Sequence, residues 1–415
     1  MVIRYVVLSA LLFLGVSSAQ TLRIFASETQ QQAIQKLVDD YIAETGTQVE
    51  IELGGATTEQ RTQYLSTVLT AQSGEIDIYL FDVVNPLQFA ATGWLEPLNS
   101  YFESEAALQE YLSPFLPSVV QTNLIDGTLY GIPAWTDTRF LYYRTDLLEK
   151  YGFEPPTTWE ELREQALAIA EGEGNPDLQG FNYQGAAIEG TNCTFLEALW
   201  TAGGDWRDAD GNITVDTDQA RRALEWYRDT LDSGITVPTI AEMTTDLSRQ
   251  AFQSGNAVFM MNWSYAWARF QNDEDSTVKG NVGITSVPVF DDNTPATCVG
   301  GFQWGINPYS ENKEAAFELI QYLASEDSQR YLAAEWSQTP ARTSLYEDAD
   351  VLAAAPQFQD FYDVIINARP RPQTEFYTDV SDLIRSSMNA FFAGSEDIDT
   401  TLQTMQEGLE DIFAN

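Results

Sequence analysis

"TLRIFASE" (Thr21–Glu28), "QQQAIQKLVDDYIAETG" (Gln30–Gly46), "TQVEIEL" (Thr47–Leu53), "TEQRTQYLSTVLTAQSG" (Thr58–Gly74) and "IDIYLFD" (Ile76–Asp82) follow one another with short gaps. The first opens with apolar Leu22, Ile24 and Phe25 and then turns polar, which reads as a strand. The second places Ala33, Ile34, Leu37, Val38, Tyr41 and Ile42 at helical spacing and stops at Gly46. The third alternates as a strand, the fourth is helical, and the fifth is a short apolar run ending in Asp82. The order β-α-β-α-β predicts an α/β layer around a mostly parallel sheet. Ligands gather at the carboxyl ends of strands in such sheets. Glu28, Asp82 and the loop leading to Arg61 are therefore candidate site positions.

Further along, "LYGIPAWTDTRFLYYRTDLLEKYGF" (Leu129–Phe153) predicts an apolar strand that breaks at Pro133 and resumes as "RFLYYR", long enough to cross between two lobes. "TTWEELREQALAIA" is a helix capped by Thr157 or Thr158, and "TFLEALWTAGG" a helix stopped at Gly203-Gly204. "DADGNITV" (Asp208–Val215) carries the Asp-Gly pair of a turn, and its acidic spacing does not match a calcium loop. "GGFQWGINPYS" and "TPARTSLYED" are candidates for a second and a third crossing.

Composition removes many functions. Acidic residues outnumber basic ones 62 to 21, a net charge of −41 in 415 residues. A surface of that sign does not bind nucleic acid or anionic lipid. There is no histidine, which removes Ser-His-Asp and Cys-His catalysis and His-ligated zinc. Two cysteines are too few for thiolate zinc or iron–sulfur sites. Carboxylate-pair chemistry of the glycosidase kind survives, but with so many acids a suitable pair is always available.

"MVIRYVVLSALLFLGVSSAQ" has Arg4, an apolar run from Tyr5 to Val16 and the small residues Ser17-Ser18-Ala19. This predicts a signal peptide over 1–19, cleaved after Ala19, and a soluble exported chain with no lipid anchor at that point. Cys193 and Cys298 would then meet an oxidising compartment and are expected to pair.

"FMMNWSYAWARF" (Phe259–Phe270) sets Trp263, Tyr265 and Trp267 among small polar residues. The pattern fits core packing or a stacking platform. For Trp263 and Tyr265 the platform is the better reading, because the strand turns polar there. Trp267 reads as core or wall.

Several of these stretches, with "DGTLYGIPAWTDTRFLYYRTDLLEKYGFEPPTTWEEL", "GNAVFMMNWSYAW", "VGGFQWGINPYSENKEAAFELIQYL" and "RPRPQTEFYTDVSDLI", resemble the sugar-binding proteins of bacterial ABC importers, most closely their trehalose/maltose-binding branch. The resemblance spans nearly the whole chain after the leader. It implies an α/β, two-lobed periplasmic-binding-protein fold of the maltose-binding kind, with three crossing segments and a ligand cleft between the lobes. The first lobe would be 20–131 plus 304–336, the second 132–303 plus 337–415. Arg61 and Asp82 would hydrogen-bond sugar hydroxyls, with Trp135 and Asp137 near the hinge. Trp263 and Tyr265 would form the platform, Gly301 and Phe302 would close one side, and Arg371 would reach in from the second lobe. Arg369 competes with Arg371, and Gln31 with Glu28 in the first loop. Where the family often has Tyr and Trp, this chain has Trp135 and Phe302. The implied role is a monomeric periplasmic receptor, not an enzyme, that needs no metal or cofactor. It would take a disaccharide or α-glucoside and deliver it to membrane permease subunits. A glycoside hydrolase using Asp82 and Asp137, or a receptor for a polyamine, are the alternatives.

Overall fold

The computed structural model describes residues 21–414 apart from 56 and 292, so the leader expected over 1–19 lies outside the described residues. Strand β1 (Thr21–Ala26) lies parallel to β2 (Gln48–Leu53) on one side and to β3 (Ile78–Asp82) on the other. The helices Glu28–Thr45 and Thr58–Thr70 make the two crossovers. The first buries Ala33, Ile34, Leu37, Val38 and Tyr41, the face its spacing predicts, and ends at Gly46 with φ of 77°.

Two local expectations are corrected here. Glu28 is not in a loop after the strand. Ser27 accepts the N–H of Gln30 while Gln30 Oε1 accepts that of Ser27, and this capping box starts the helix at Glu28. Arg61 stands inside the second helix, as its helical stretch predicts, and Thr57 and Gln60 cap that helix in the same way. The long strand, in turn, does not break at Pro133. It runs without interruption over 13 residues, Ile132–Arg144. Pro133 lies opposite Gln303, where the register of the facing strand shifts between Phe302 and Gln303, so the irregularity falls where proline cannot donate a ladder bond.

Beyond β3 come the hairpin β4 (Leu124–Ile125) and β5 (Thr128–Leu129), then the long strand β6 (Ile132–Arg144). β7 (Gln179–Asn182), β8 (Ala257–Trp263), β9 (Val282–Thr285) and β10 (Val299–Ile306) follow. One eight-stranded sheet has the order β2-β1-β3-β10-β6-β8-β7, with β9 added on β6. β6 is shared: Ile132–Thr138 pairs with β10, Arg139–Tyr143 with β8.

The packing follows that division. One core gathers Ile24, Ile34, Val38, Ile78, Leu80, Trp304 and Ile306 with Leu319, Ile320 and Leu323 of the Lys313–Leu323 helix. A second gathers Trp159, Phe181, Phe195, Leu199, Tyr227, Phe259, Met388 and Phe391. Ile132 and Trp135 of β6 belong to the first and Leu141 to the second. Cys298, just before β10, is in the second and Trp304 in the first. A third segment carries Thr339, which pairs with Thr136 of β6. The molecule is thus two lobes joined by three passing segments.

The helix Glu189–Thr201 is buried along its whole length in the second lobe. It begins before the "TFLEALW" stretch, at Glu189, and no local cap marks that start. Cys193 on it is bonded to Cys298, with Cα atoms 5.9 Å apart. Glu197, one turn on, receives Arg139 at 3.2 Å and the Cys298 N–H at 3.0 Å. Asp208 accepts the N–H groups of Asp210 and Asn212, closing a turn around Gly211 at φ of 87°.

Replacing both cysteines by serine opens a cross-link between residues 105 apart, and is expected to lower stability by about 4 kcal/mol. Denaturant unfolding of the double variant and the native chain checks this.

Candidate functional site

The carboxyl end of β3 presents Asp82 between the lobes, buried to 8% exposure. Its Oδ2 accepts the Thr58 hydroxyl at 2.8 Å, and its Oδ1 receives Arg371 Nη2 at 3.1 Å. Arg371 is 2% exposed and also donates to Glu189 Oε1 at 2.8 Å. Burial works against its charge, but Tyr377, Asp82 and Glu189 around it outweigh that and hold the guanidinium more firmly protonated than usual. Glu189 is itself held by the hydroxyls of Tyr377 and Ser381, the latter at 2.6 Å. Arg371 is the arginine at this place. Arg369 pairs with Asp205 and lies 4.6 Å from the centre of the Trp200 ring.

Arg61 is also buried, donating to Gly55 O at 3.3 Å and Thr58 Oγ1 at 3.1 Å. Burial lowers its pKa, and the nearby Asp82 and Glu59 push it back up. Its guanidinium lies 5.4 Å from the centre of the Phe302 ring. Phe302 on β10 faces Trp135 on β6 in register, their ring centres 5.5 Å apart. Gly301 beside them has φ of 120°, and a Cβ there would fall 2.5 Å from Trp135 O. Only glycine fits the position.

Asp137 Oδ1 accepts the N–H groups of Thr138 and Ser264, each at 2.9 Å, and the Ser264 hydroxyl. Ser264 in turn meets Thr339 at 2.7 Å, so all three crossing regions converge on this carboxylate or next to it. Burial raises the Asp137 pKa to about 7; its hydrogen bonds with Ser264 and Thr138 oppose the rise and Asp82 adds to it. Trp263 closes β8, with Arg139 5.9 Å and Arg371 5.7 Å from its ring centre. Tyr265 follows at the start of the Ala266–Asn272 helix, and its hydroxyl donates to Asp246 at 3.3 Å. Trp267 packs against a core containing Phe252 and Phe270.

The structure therefore brings Arg61, Asp82, Trp135, Phe302, Arg371 and Trp263 into one connected group, with Asp137 alongside: it holds Ser264 and pairs with Gly300 of β10, which lies against the Trp263 ring. Glu28 is exposed in the first turn of its helix, and Gln31 donates to Gln35 at 3.3 Å. Sequence reading missed Thr58, Glu189 and Ser264. Thr58 stands one helical turn before Arg61, a spacing that could have been noticed. Among the described residues, no group of three or more His, Cys, Asp or Glu side chains is placed to hold a metal ion. No described helix is long and apolar enough to cross a membrane.

Residues 25–330 match the model of the bacterial extracellular solute-binding protein family. A probable ABC transporter-binding protein of Deinococcus radiodurans is 34% identical over 381 residues, covering 89% of this chain and 88% of that one. A mannitol-binding protein of Pseudomonas aeruginosa is 26% identical over 71% of this chain and 67% of its own length. Among solved structures, maltose-bound T. maritima MalE3 superposes with a TM-score of 0.87 at 34% identity, covering 94% of this chain and 99% of that one. A solute-binding protein of Agrobacterium vitis with bound D-mannitol has a TM-score of 0.81 at 24% identity, over 95% of this chain and 98% of that one, and shares the fold.

The raised Asp137 pKa has a signed consequence. Between the ordinary value of 3.8 and about 7, the folded chain keeps a proton that the unfolded chain has released. The stabilisation this gives is full at low pH and is lost as pH rises to about 7. The melting temperature of the native chain minus that of Asp137→Asn should fall as pH rises from 4 to 8. Thermal melts in steps across that range check it, and a constant difference would count against a proton on Asp137.

Proposed function

Because the chain belongs to the bacterial extracellular solute-binding protein family, we propose that it is the receptor of an ABC importer and captures a disaccharide or short α-glucoside of the trehalose, maltose or sucrose type between its lobes. The observation that carries this reading is the group at the ends of β3 and β8 and along the facing stretches of β6 and β10, where aromatic rings and paired charges meet. A sugar ring has an apolar C–H face and a rim of hydroxyls. Trp263 and Phe302 suit the face, with Trp135 buried against Phe302, and Asp82, Arg61 and Arg371 suit the rim through charge-assisted hydrogen bonds, with Asp137 as a carboxyl group that can also donate. The maltose carried by MalE3, at 34% identity, supports an α-glucoside over other sugars.

The family consists of binding proteins, so the hydrolase alternative gives way. The polyamine alternative loses ground because Asp82 and Glu189, carboxylates it would need, are already paired with Arg371. A polyol is the second reading, favoured by the mannitol-binding relative.

On this reading the lobes are 20–131 with 304–336 and 132–303 with 337–415. The two largest cores support that division, although Ala341 packs in the first and a smaller core joins Leu116 and Val119 to Tyr142 and Phe252 across the lobes. Tyr265 would join the platform once Asp246 releases its hydroxyl. Ligand held by one lobe recruits the other, and the closed form, favoured by its extra contacts, is presented to the permease. The receptor acts as an exported monomer.

Calorimetric titration with trehalose, maltose, sucrose, glucose, mannitol and spermidine, followed by analysis for hydrolysis products, tests the proposal. One disaccharide should bind tightly without product. Trp263→Ala should weaken it by about 2 kcal/mol, roughly thirtyfold. Silence across all sugars from a folded chain would refute the reading, and mannitol alone would replace it by a polyol receptor.

A further inference from the structure

The buried Glu189–Thr201 helix starts without a cap of its own, since Ile188 at the N-cap position has no side-chain acceptor. Some helices here are capped locally, by Ser27, Thr57, Ser104, Thr158, Thr217, Thr244, Ser325 and Asp348, while others, such as Lys313–Leu323 and Tyr377–Phe392, have no side-chain cap. The Glu189 N–H instead donates to Glu59 Oε1 at 2.6 Å, from 130 residues away. Glu59 stands in the first turn of the Thr58–Thr70 helix, whose Leu65 and Leu69 pack with Phe25, Tyr79 and Phe81 of β1 and β3. The cap is therefore supplied by the opposite lobe. The same carboxylate oxygen lies 3.4 Å from Arg385 Nη1, and that guanidinium also donates to Ala187 O at 3.1 Å, just ahead of the helix. Glu59 thus meets the first N–H of a buried helix and a cation beside it, the two features that favour a carboxylate at a helix start.

The capped residue is the one whose side chain holds Arg371. We propose that Glu59 is a positioning residue of the closed state: it caps the second lobe's helix from the first lobe and so couples closure to the placement of Glu189 and Arg371. The coupling follows from geometry. Separating the lobes removes the cap, leaves the Glu189 N–H without its acceptor and withdraws Asp82 from Arg371. Gln88 Oε1, which accepts from Thr378 at 2.8 Å, adds a neutral contact across the same gap. The functional half of this inference rests on the cleft being the ligand site, whereas the closure half does not.

The test uses Glu59→Ala and Glu59→Gln in the full exported chain. Without added sugar, small-angle scattering should show a larger radius of gyration for Glu59→Ala than for the native chain. Glu59→Gln should fall between them, because its amide oxygen still accepts the Glu189 N–H. With maltose or trehalose as probe, Glu59→Ala should weaken binding roughly fivefold to tenfold through faster dissociation, with association unchanged. Glu59→Gln should recover most of that loss. Identical scattering for the native chain and Glu59→Ala would overturn the proposal, as would a Gln variant no better than Ala. If neither sugar binds the native chain, the ligand reading fails, and the scattering comparison still decides the role of Glu59.

Discussion

A guanidinium with almost no access to water, held between two carboxylates from opposite lobes, is the interaction on which the cleft depends. Arg371 reaches Asp82 at the end of β3 and Glu189 at the start of a second-lobe helix. A buried charge left alone is strongly destabilising, so each member of this trio fixes the others. Removing the arginine would leave two carboxylates facing one another. Removing either carboxylate would leave the arginine short of acceptors. In this arrangement the strands that meet here are registered by paired charges as well as by the apolar cores on either side.

That arrangement explains how so acidic a chain sustains an interior polar site. Most of the 62 acids lie on the surface, whereas Arg61, Arg139, Arg342 and Arg371 are buried. Two of these, Arg139 with Glu197 and Arg371 with Asp82 and Glu189, flank the indole of Trp263. The ring thus has two guanidinium groups near it as well as the apolar core it packs against. Its partly exposed position beside two arginines differs from that of Trp159 and Trp304, which are buried in the cores.

Much of the fold was legible. The alternation of periods 2 and 3.6 from Thr21 to Asp82 produced the β-α-β-α-β unit because each element buries one face, and burial imposes the period. The helix start at Glu28 was also written in the chain, as the Ser27–Gln30 box, but the polar run after it resembled a loop. Asp82 and Trp263 could be singled out because strand ends that turn polar are unusual. The choice between Arg369 and Arg371 could not be made, since the two share the same Arg-Pro surroundings and differ only in what the fold places opposite them. Glu189 was invisible for the same reason: its partners come from residues far away in the chain, and no local pattern marks a helix whose cap lies on another lobe.

The continuity of β6 bears on how the lobes can move. Thirteen residues are laddered to β10 at one end and to β8 and β9 at the other. A sharp fold anywhere along it would strip buried N–H and C=O groups of their partners. Strands yield far more readily by twisting about their own axis. The segment therefore ties the lobes through one continuous ladder rather than through a free loop, and twisting it keeps more of its backbone bonds than folding it would.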